Sequence, residues 1–152
     1  LMEAGAGVVL KTVDALARGD YKAIPQEELT ADTEIKHAPK IFKEDCKIDW
    51  NKPTETVRNL VRGLSPYPAA WSILKNNETG EEIQTKIFFA EKTTGNQTEQ
   101  PGTITTDKKK TLLVACGEGW LNITDIQLAG KKRMKTEEFL RGFQQIENYR
   151  FA

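Results

Sequence analysis

The chain has 152 residues, 38% of them hydrophobic, and its 22 basic and 22 acidic side chains cancel, which suits one ordinary globular domain with an appendage. No stretch approaches the roughly 18 to 20 consecutive apolar residues of a membrane span, and the opening Leu-Met-Glu-Ala-Gly-Ala-Gly lacks the pattern of a secretory signal, so a soluble, cytoplasmic protein is expected. Two cysteines, Cys46 and Cys116, and one histidine, His37, leave no disulfide framework and no His-rich metal site, and any nucleophilic triad would have to use His37.

In chain order, Val9, Val13 and Leu16 recur at spacings of four and three, with Leu10 beside them. That spacing predicts an amphipathic helix ending at Arg18-Gly19, a basic last turn followed by a helix-stopping glycine. From Asp20 to Lys36 the chain is polar, contains Pro25 and shows no period, as a connector does. Ala38-Pro39-Lys40-Ile41-Phe42 is extended, because the residue before proline avoids the helical region. Asn51 to Leu64 reads as a helix with Asn51 or Thr54 as its cap, Pro53 in the first turn and Val57, Leu60, Val61 and Leu64 on one face. Ser65-Pro66-Tyr67-Pro68 stops it.

Strand signals follow at 70–75, 83–90, 102–106, 112–116 and 120–127, punctuated by Gly80, Pro101-Gly102 and Gly117-Glu118-Gly119. Thr136, with Glu137 and Glu138 behind it, opens a last helix striped by Phe139, Leu140, Phe143 and Ile146. These elements predict a mainly β fold with flanking helices, its five short strands forming a small closed or partly closed barrel.

Charge is segregated. Residues 36–75 carry eight basic and four acidic groups and residues 108–135 seven and two, whereas 1–35 and 76–107 are each net −4. Two basic blocks between acidic ones either converge into a phosphate-binding patch or remain solvated lysines. Glu44, Asp45 and Asp49 read as local caps. Trp50, Trp71 and Trp120 adjoin apolar neighbours and read as core rather than as stacking platforms. Gly117-Glu118-Gly119 joins two strands and reads as a hairpin turn, not a dinucleotide fingerprint. The Asn77, Asn96 and Asn122 sequons are read as chance matches, and both cysteines as small buried hydrophobes. Nothing here forms a catalytic constellation, and on this basis alone the function stays open.

Several stretches carry more information together: Pro25-Gln26-Glu27, Ala38-Pro39-Lys40-Ile41, Lys43-Glu44-Asp45, Ile48-Asp49-Trp50, Pro101-Gly102-Thr103-Ile104 and Gly119-Trp120-Leu121. The most specific is Arg62-Gly63-Leu64-Ser65-Pro66-Tyr67-Pro68-Ala69-Ala70-Trp71, followed by Leu128-Ala129-Gly130-Lys131-Lys132 with Met134. In these stretches the chain resembles the C-terminal half of the methionyl-tRNA formyltransferase family. The resemblance implies that 1–19 is the last helix of a catalytic domain whose remainder is absent, 20–42 an interdomain linker, and 43–152 a C-terminal domain with an OB-like β-barrel. It further implies a parent protein about twice as long, whose Rossmann-like half binds 10-formyltetrahydrofolate as co-substrate and carries the catalytic Asn, His and Asp. His37 falls in the linker and is not that histidine. By this reading the chain holds no cofactor, contains no catalytic residue and is inactive alone.

The family uses linker and barrel to hold initiator methionyl-tRNA, which makes Lys40, Lys43, Lys131 and Lys132 the tRNA-binding candidates here. Lys131 and Lys132 also fit an ordinary charged turn, and Arg62 fits a role bonding carbonyls around Ser65-Pro66-Tyr67-Pro68. The first helix, without its parent domain, is expected to fray or to pair with the same stripe of a second copy. The competing readings are a formyltransferase acting on a sugar nucleotide, the hydrolase half of formyltetrahydrofolate dehydrogenase, and a free-standing RNA-binding module.

Overall fold

The first helix, α1 (Met2–Arg18), stops where its sequence says it must. Gly19 takes φ +69°, its N–H bonds Leu16 O at 3.1 Å, and the Asp20 N–H reaches back to Ala15 O at 3.0 Å, a paired closure that only a left-handed residue permits. A computed structural model of the chain describes residues 2–30, 34–93, 95 and 98–152, in two compact units, Leu1–Pro39 and Lys40–Ala152. In the first unit α1 buries none of its residues, so Val9, Leu10, Val13 and Leu16 form an exposed apolar stripe. The connector is not wholly irregular: Gln26–Thr30 forms a short helix, α2, whose first turn carries Glu27 and Glu28 behind Pro25. Proline and acidic residues at an N-terminus stabilise a single turn that apolar periodicity cannot reveal.

The second unit opens on a 3₁₀ turn at Glu44–Cys46 and a helix, α3 (Thr54–Leu64). That helix starts at Thr54, with Pro53 as N-cap and no side-chain cap, which corrects the expected start at Asn51. Asn51 donates its backbone N–H to Asp49 Oδ1 instead, and the Thr54 hydroxyl donates to Glu118 O at 2.7 Å. Val57, Val61 and Leu64 are buried, with Leu60 packed partly against the same core, as their spacing predicts. Each such side chain contributes about 1.5 to 3 kcal/mol on full burial.

The strands are β1 (Ala70–Asn76), β2 (Glu82–Lys92), β3 (Ile104–Thr106), β4 (Leu112–Ala115), β5 (Trp120–Leu128), β6 (Met134–Lys135) and β7 (Tyr149–Phe151). They form one antiparallel sheet in the order β3-β4-β5-β2-β1-β7, with β6 paired to β5. Closure comes from the three-residue strand β7. Phe151 N–H bonds Gly102 O at 2.9 Å and Thr103 bridges Arg150, so β7 joins the chain leading into β3 to the free side of β1. The result is a nearly closed barrel, as expected, with two strands more than periodicity revealed.

Gly117-Glu118-Gly119 makes the β4–β5 turn, Cys116 N–H bonding Gly119 O at 3.0 Å. The last helix, α4 (Thr136–Gly142), is shorter than its stripe suggested: Phe143 is its C-cap and Ile146 lies in a separate 3₁₀ turn, although Phe139, Leu140 and Ile146 are all buried.

One buried ionic group outside the apolar core cluster sets a measurable stability. Asp125 on β5 is buried, and Arg133 clamps it with Nε and Nη2 at 2.8 and 2.6 Å while Lys135 adds a third contact at 3.2 Å. The same guanidinium lies 4.3 Å from the Phe88 ring centroid. The hydrogen bonds from Arg133, more than any other influence, hold the Asp125 carboxyl below its ordinary 3.8. A group whose folded pKa is depressed contributes fully above its unfolded value and loses that contribution as pH falls through the folded one. Because the Arg133 side chain remains 43% exposed, Asp125→Asn is expected to cost about 1 to 3 kcal/mol at pH 7 rather than the larger penalty of a fully buried pair. Urea midpoints of the two proteins should converge as pH drops below 4; equal midpoints at pH 7 would remove the pair from the stability account.

Candidate nucleic-acid interface

Strand alternation decides which side chains face out. Ala70, Ser72 and Leu74 of β1 point to the core, so Trp71 faces outward. Across β2 the buried Thr85 and Ile87 flank the exposed Lys86. The register aligns Trp71 with Lys86 and Lys86 with Gln127 of β5, one outward-facing row across three strands.

Over this row lies the segment leading into the barrel. Trp71 Nε1 donates to Lys43 O at 2.8 Å, which ties that segment to β1. The Lys43 and Lys47 ammonium groups stand 5.5 and 5.9 Å from the Trp71 ring centroid, within cation–π range. A cleft of about 380 Å³ beside them is lined by Lys43, Gln84, Lys86, Gln127 and the backbone turn through Gly130. No carboxylate lines it among the described residues.

Lys43 therefore sits in the middle of a basic face. Lys131 is at its rim: its N–H bonds Leu128 O at 3.0 Å and its carbonyl accepts from Gln127 Nε2 at 2.8 Å. Lys132 follows in the same exposed turn, and Lys40 lies 5.4 Å from the centroid of the Phe42 ring. Among the described residues none of Lys40, Lys43, Lys47, Lys86, Lys131 and Lys132 forms an ion pair, whereas Lys52, Lys75, Lys92, Lys108, Arg133 and Lys135 each do. The two basic blocks thus meet only in part. Arg133 and Lys135 are held by Asp125, and Lys108 by Glu147 at 2.8 Å.

Lys86 lies in a segment that is net acidic in sequence, Lys47 belongs to the first basic block without being singled out as a contact, and Trp71 is half-buried, packing partly against the core while it lines a cleft beside this face. Trp50 is core, buried against Phe151 with its Nε1 donating to Ser72 Oγ at 2.9 Å. Arg62 does not serve the Ser65-Pro66-Tyr67-Pro68 turn; its Nε donates to Asn59 Oδ1 at 2.8 Å on its own helix. The acidic cluster is local capping: Asp45 accepts the Phe42 N–H, and Asp49, hydrogen-bonded by Asn51, is held below its ordinary pKa. Both cysteines are buried, and burial pushes the Cys116 thiol up to about 12. Of the sequons, Asn77 lies in the β1–β2 turn, Asn122 accepts Leu112 N–H within the sheet, and Asn96 and Gln97 lie outside the described residues. No group of three or more His, Cys, Asp or Glu among the described residues is placed to hold a metal.

The sequence model of the family described as formyl transferase, C-terminal domain, matches residues 40–144, the unit that carries this face. The chain belongs to that family. A methionyl-tRNA formyltransferase from Bacteroides fragilis is 51% identical over 150 residues, covering 99% of this chain and 46% of that protein. Those of Parabacteroides distasonis and Bacteroides thetaiotaomicron are 49% and 47% identical, again with 46% of each protein covered. The chain spans just under half the length of these curated relatives. Among solved structures, a variant of HypX from Aquifex aeolicus matches with a TM-score of 0.62 at 23% identity, over 90% of this chain and 23% of that one. This last likeness is one of fold. It places the barrel of this formyl transferase C-terminal domain within a known architecture.

Proposed function

We propose that the chain is the tRNA-holding part of a methionyl-tRNA formyltransferase, the cytoplasmic enzyme that moves a formyl group from 10-formyltetrahydrofolate to the amino group of methionyl initiator tRNA for translation initiation. The observation that carries this reading is a cleft lined by Lys43 and Lys86 with no carboxylate in its lining, beside which Lys43 and Lys47 stand over the Trp71 ring without ion pairs, in a chain half identical to enzymes of that name. Phosphate contacts of this kind fix register without reading sequence, which is what presenting one end of a tRNA to a distant active site requires. In this arrangement 20–42 acts as the linker and 43–152 as the holding domain. The exposed stripe of α1 is the surface that the other half of the enzyme covers, and the formyl donor binds in that half. The relatives favour this substrate over a sugar nucleotide.

Salt dependence tests it. For a tRNA bound through Z phosphates, log K falls against log salt with a slope of roughly −0.7Z to −0.9Z. Lys43→Ala and Lys86→Ala are each expected to flatten that slope by about one unit, with smaller effects for Lys40, Lys131 and Lys132, while Lys75→Ala, whose lysine is paired to Glu82, leaves it unchanged. Undetectable binding at low salt, or slopes indifferent to Lys43 and Lys86, would reduce the face to ordinary solvated surface.

A further inference from the structure

Beside the basic face lies a second cleft, of about 350 Å³, whose wall is aromatic. Phe42, Tyr67 and Trp71 line it with Pro68, and Lys43 and Lys86 stand at its polar side. The barrel buries Trp50, Phe88, Phe139, Tyr149 and Phe151, yet Phe42 is 57% and Tyr67 87% exposed. Neither ring is needed to fill the core. Each is nonetheless held in place by its backbone. The Phe42 N–H donates to Asp45 Oδ2 at 2.8 Å, its carbonyl accepts from Cys46 Sγ, and Tyr67 stands between two prolines whose φ is fixed. The next residue but one, Ala69, takes φ +75° and is buried behind the cleft, a backbone conformation that L-residues rarely adopt and that the surrounding chain must enforce.

Flat apolar walls with ammonium groups at one side and no carboxylate among the lining residues suit a ligand that is planar and apolar in one part and anionic in the next. Those are the properties of a nucleotide whose base is not engaged in a pair. A duplex presents phosphates but hides its base faces, so a duplex alone leaves the aromatic wall unused. We propose that this cleft takes one unpaired base of the bound RNA, stacked against Phe42 and Tyr67, with the adjoining phosphates on Lys43 and Lys86. The proposal rests on the tRNA-holding function and adds to it a preference for RNA with an unstacked nucleotide beside the helical part.

The test uses the chain and three synthetic RNAs: a blunt hairpin, the same hairpin with one bulged nucleotide, and that bulged hairpin with the bulged nucleotide abasic. The last keeps the phosphate and removes only the base. For the unsubstituted chain the bulged RNA should bind about five- to a hundredfold more tightly than the abasic one, the range that a single base–aromatic stack supplies. Tyr67→Ala and Phe42→Ala should each narrow that ratio, without altering the salt slope or the affinity for the blunt hairpin. Because both side chains are exposed, circular dichroism should show the fold unchanged. Equal affinity for the bulged and abasic RNAs, with the lysine-dependent slope intact, would overturn the base site while leaving the tRNA-holding function standing. Binding of none of the RNAs at low salt would overturn both. An acidic peptide that binds more tightly than the bulged RNA, in a manner sensitive to Tyr67→Ala, would show that the cleft serves a protein partner and would likewise overturn the base site.

Discussion

Gly102→Ala is expected to unfold the barrel from its closing strand, at a cost of about 3 to 5 kcal/mol against the roughly 5 to 15 that hold a domain of this size together. Gly102 has φ +89°, and a Cβ there would stand 2.1 Å from the carbonyl oxygen and 3.1 Å from the carbonyl carbon of Phe151. Those atoms are backbone, with no rotamer to relieve the overlap, and Phe151 N–H is the donor that bonds Gly102 O. Relief requires β7 to move. Moving it breaks the pairing with β1 from Leu74 to Asn76 and uncovers Phe151, one of the largest fully buried side chains. Trp50 reports the event, since its ring lies 5.3 Å from that of Phe151: tryptophan emission should shift red and the urea midpoint should fall sharply. Gly63→Ala is the control. A Cβ at Gly63 meets nothing within 4 Å on a helix, so it should be neutral or stabilise by up to about 1 kcal/mol. Equal midpoints for Gly102→Ala and the unsubstituted chain would mean that β7 does not close the barrel.

That β7 carries such weight was not legible in the sequence. Tyr149-Arg150-Phe151 alternates correctly, but three residues make no period, and the strand exists because β1 and the 102–103 segment supply partners on both sides. Helix α3 was legible because Val57, Leu60, Val61 and Leu64 repeat on a turn of 3.6 residues, whichever sheet they meet. Its start was not, because the Thr54 hydroxyl bonds a carbonyl 64 residues away. The apolar run Ile87-Phe88-Phe89 shows the same limit within a strand. Two register shifts between β2 and β5 bury Ile87 and Phe88 in succession and turn Phe89 out, and an alternation count cannot place a bulge.

The site divides likewise. Lys43 was found through resemblance and lies at the centre of the basic face. Lys86 and Trp71 complete that face through a cross-strand register that no local signal encodes, although counting alternate residues from the buried Ala70 would have turned Trp71 outward. Arg133 and Lys135, which count toward the second basic block, are taken by Asp125, a carboxylate whose burial no local sequence signal indicates.

The 152 residues by themselves are expected to form no formylmethionyl-tRNA from 10-formyltetrahydrofolate and methionyl-tRNA. Formyl transfer to an amine needs a group that takes a proton near neutral pH and donors preorganised around the developing oxyanion. The carboxylates that depart from their ordinary pKa depart downward: Asp49 under hydrogen bonds from Asn51, Glu55 from Lys92, Asp107 under the backbone N–H groups of Thr111, Lys109 and Lys110, and Asp125 from Arg133. Lowering makes each a weaker base and empties it of the proton an acid would donate. Two groups are raised among the described residues: Arg133, which Asp125 makes a still weaker acid, and the Cys116 thiol, which at about 12 is buried where no substrate reaches it. On the proposed reading the chain offers position alone, and position without a reacting group yields no turnover. It should therefore act on a full-length relative as a competitor, raising the KM for methionyl-tRNA while leaving kcat unchanged, and Lys43→Ala should weaken that inhibition, since the proposed role of the lysine is in holding and not in chemistry. Formylated product above the enzyme-free control would show that the chain supplies chemistry of its own. Inhibition that lowers kcat at saturating tRNA would mean that it acts on the relative by some route other than sequestering substrate.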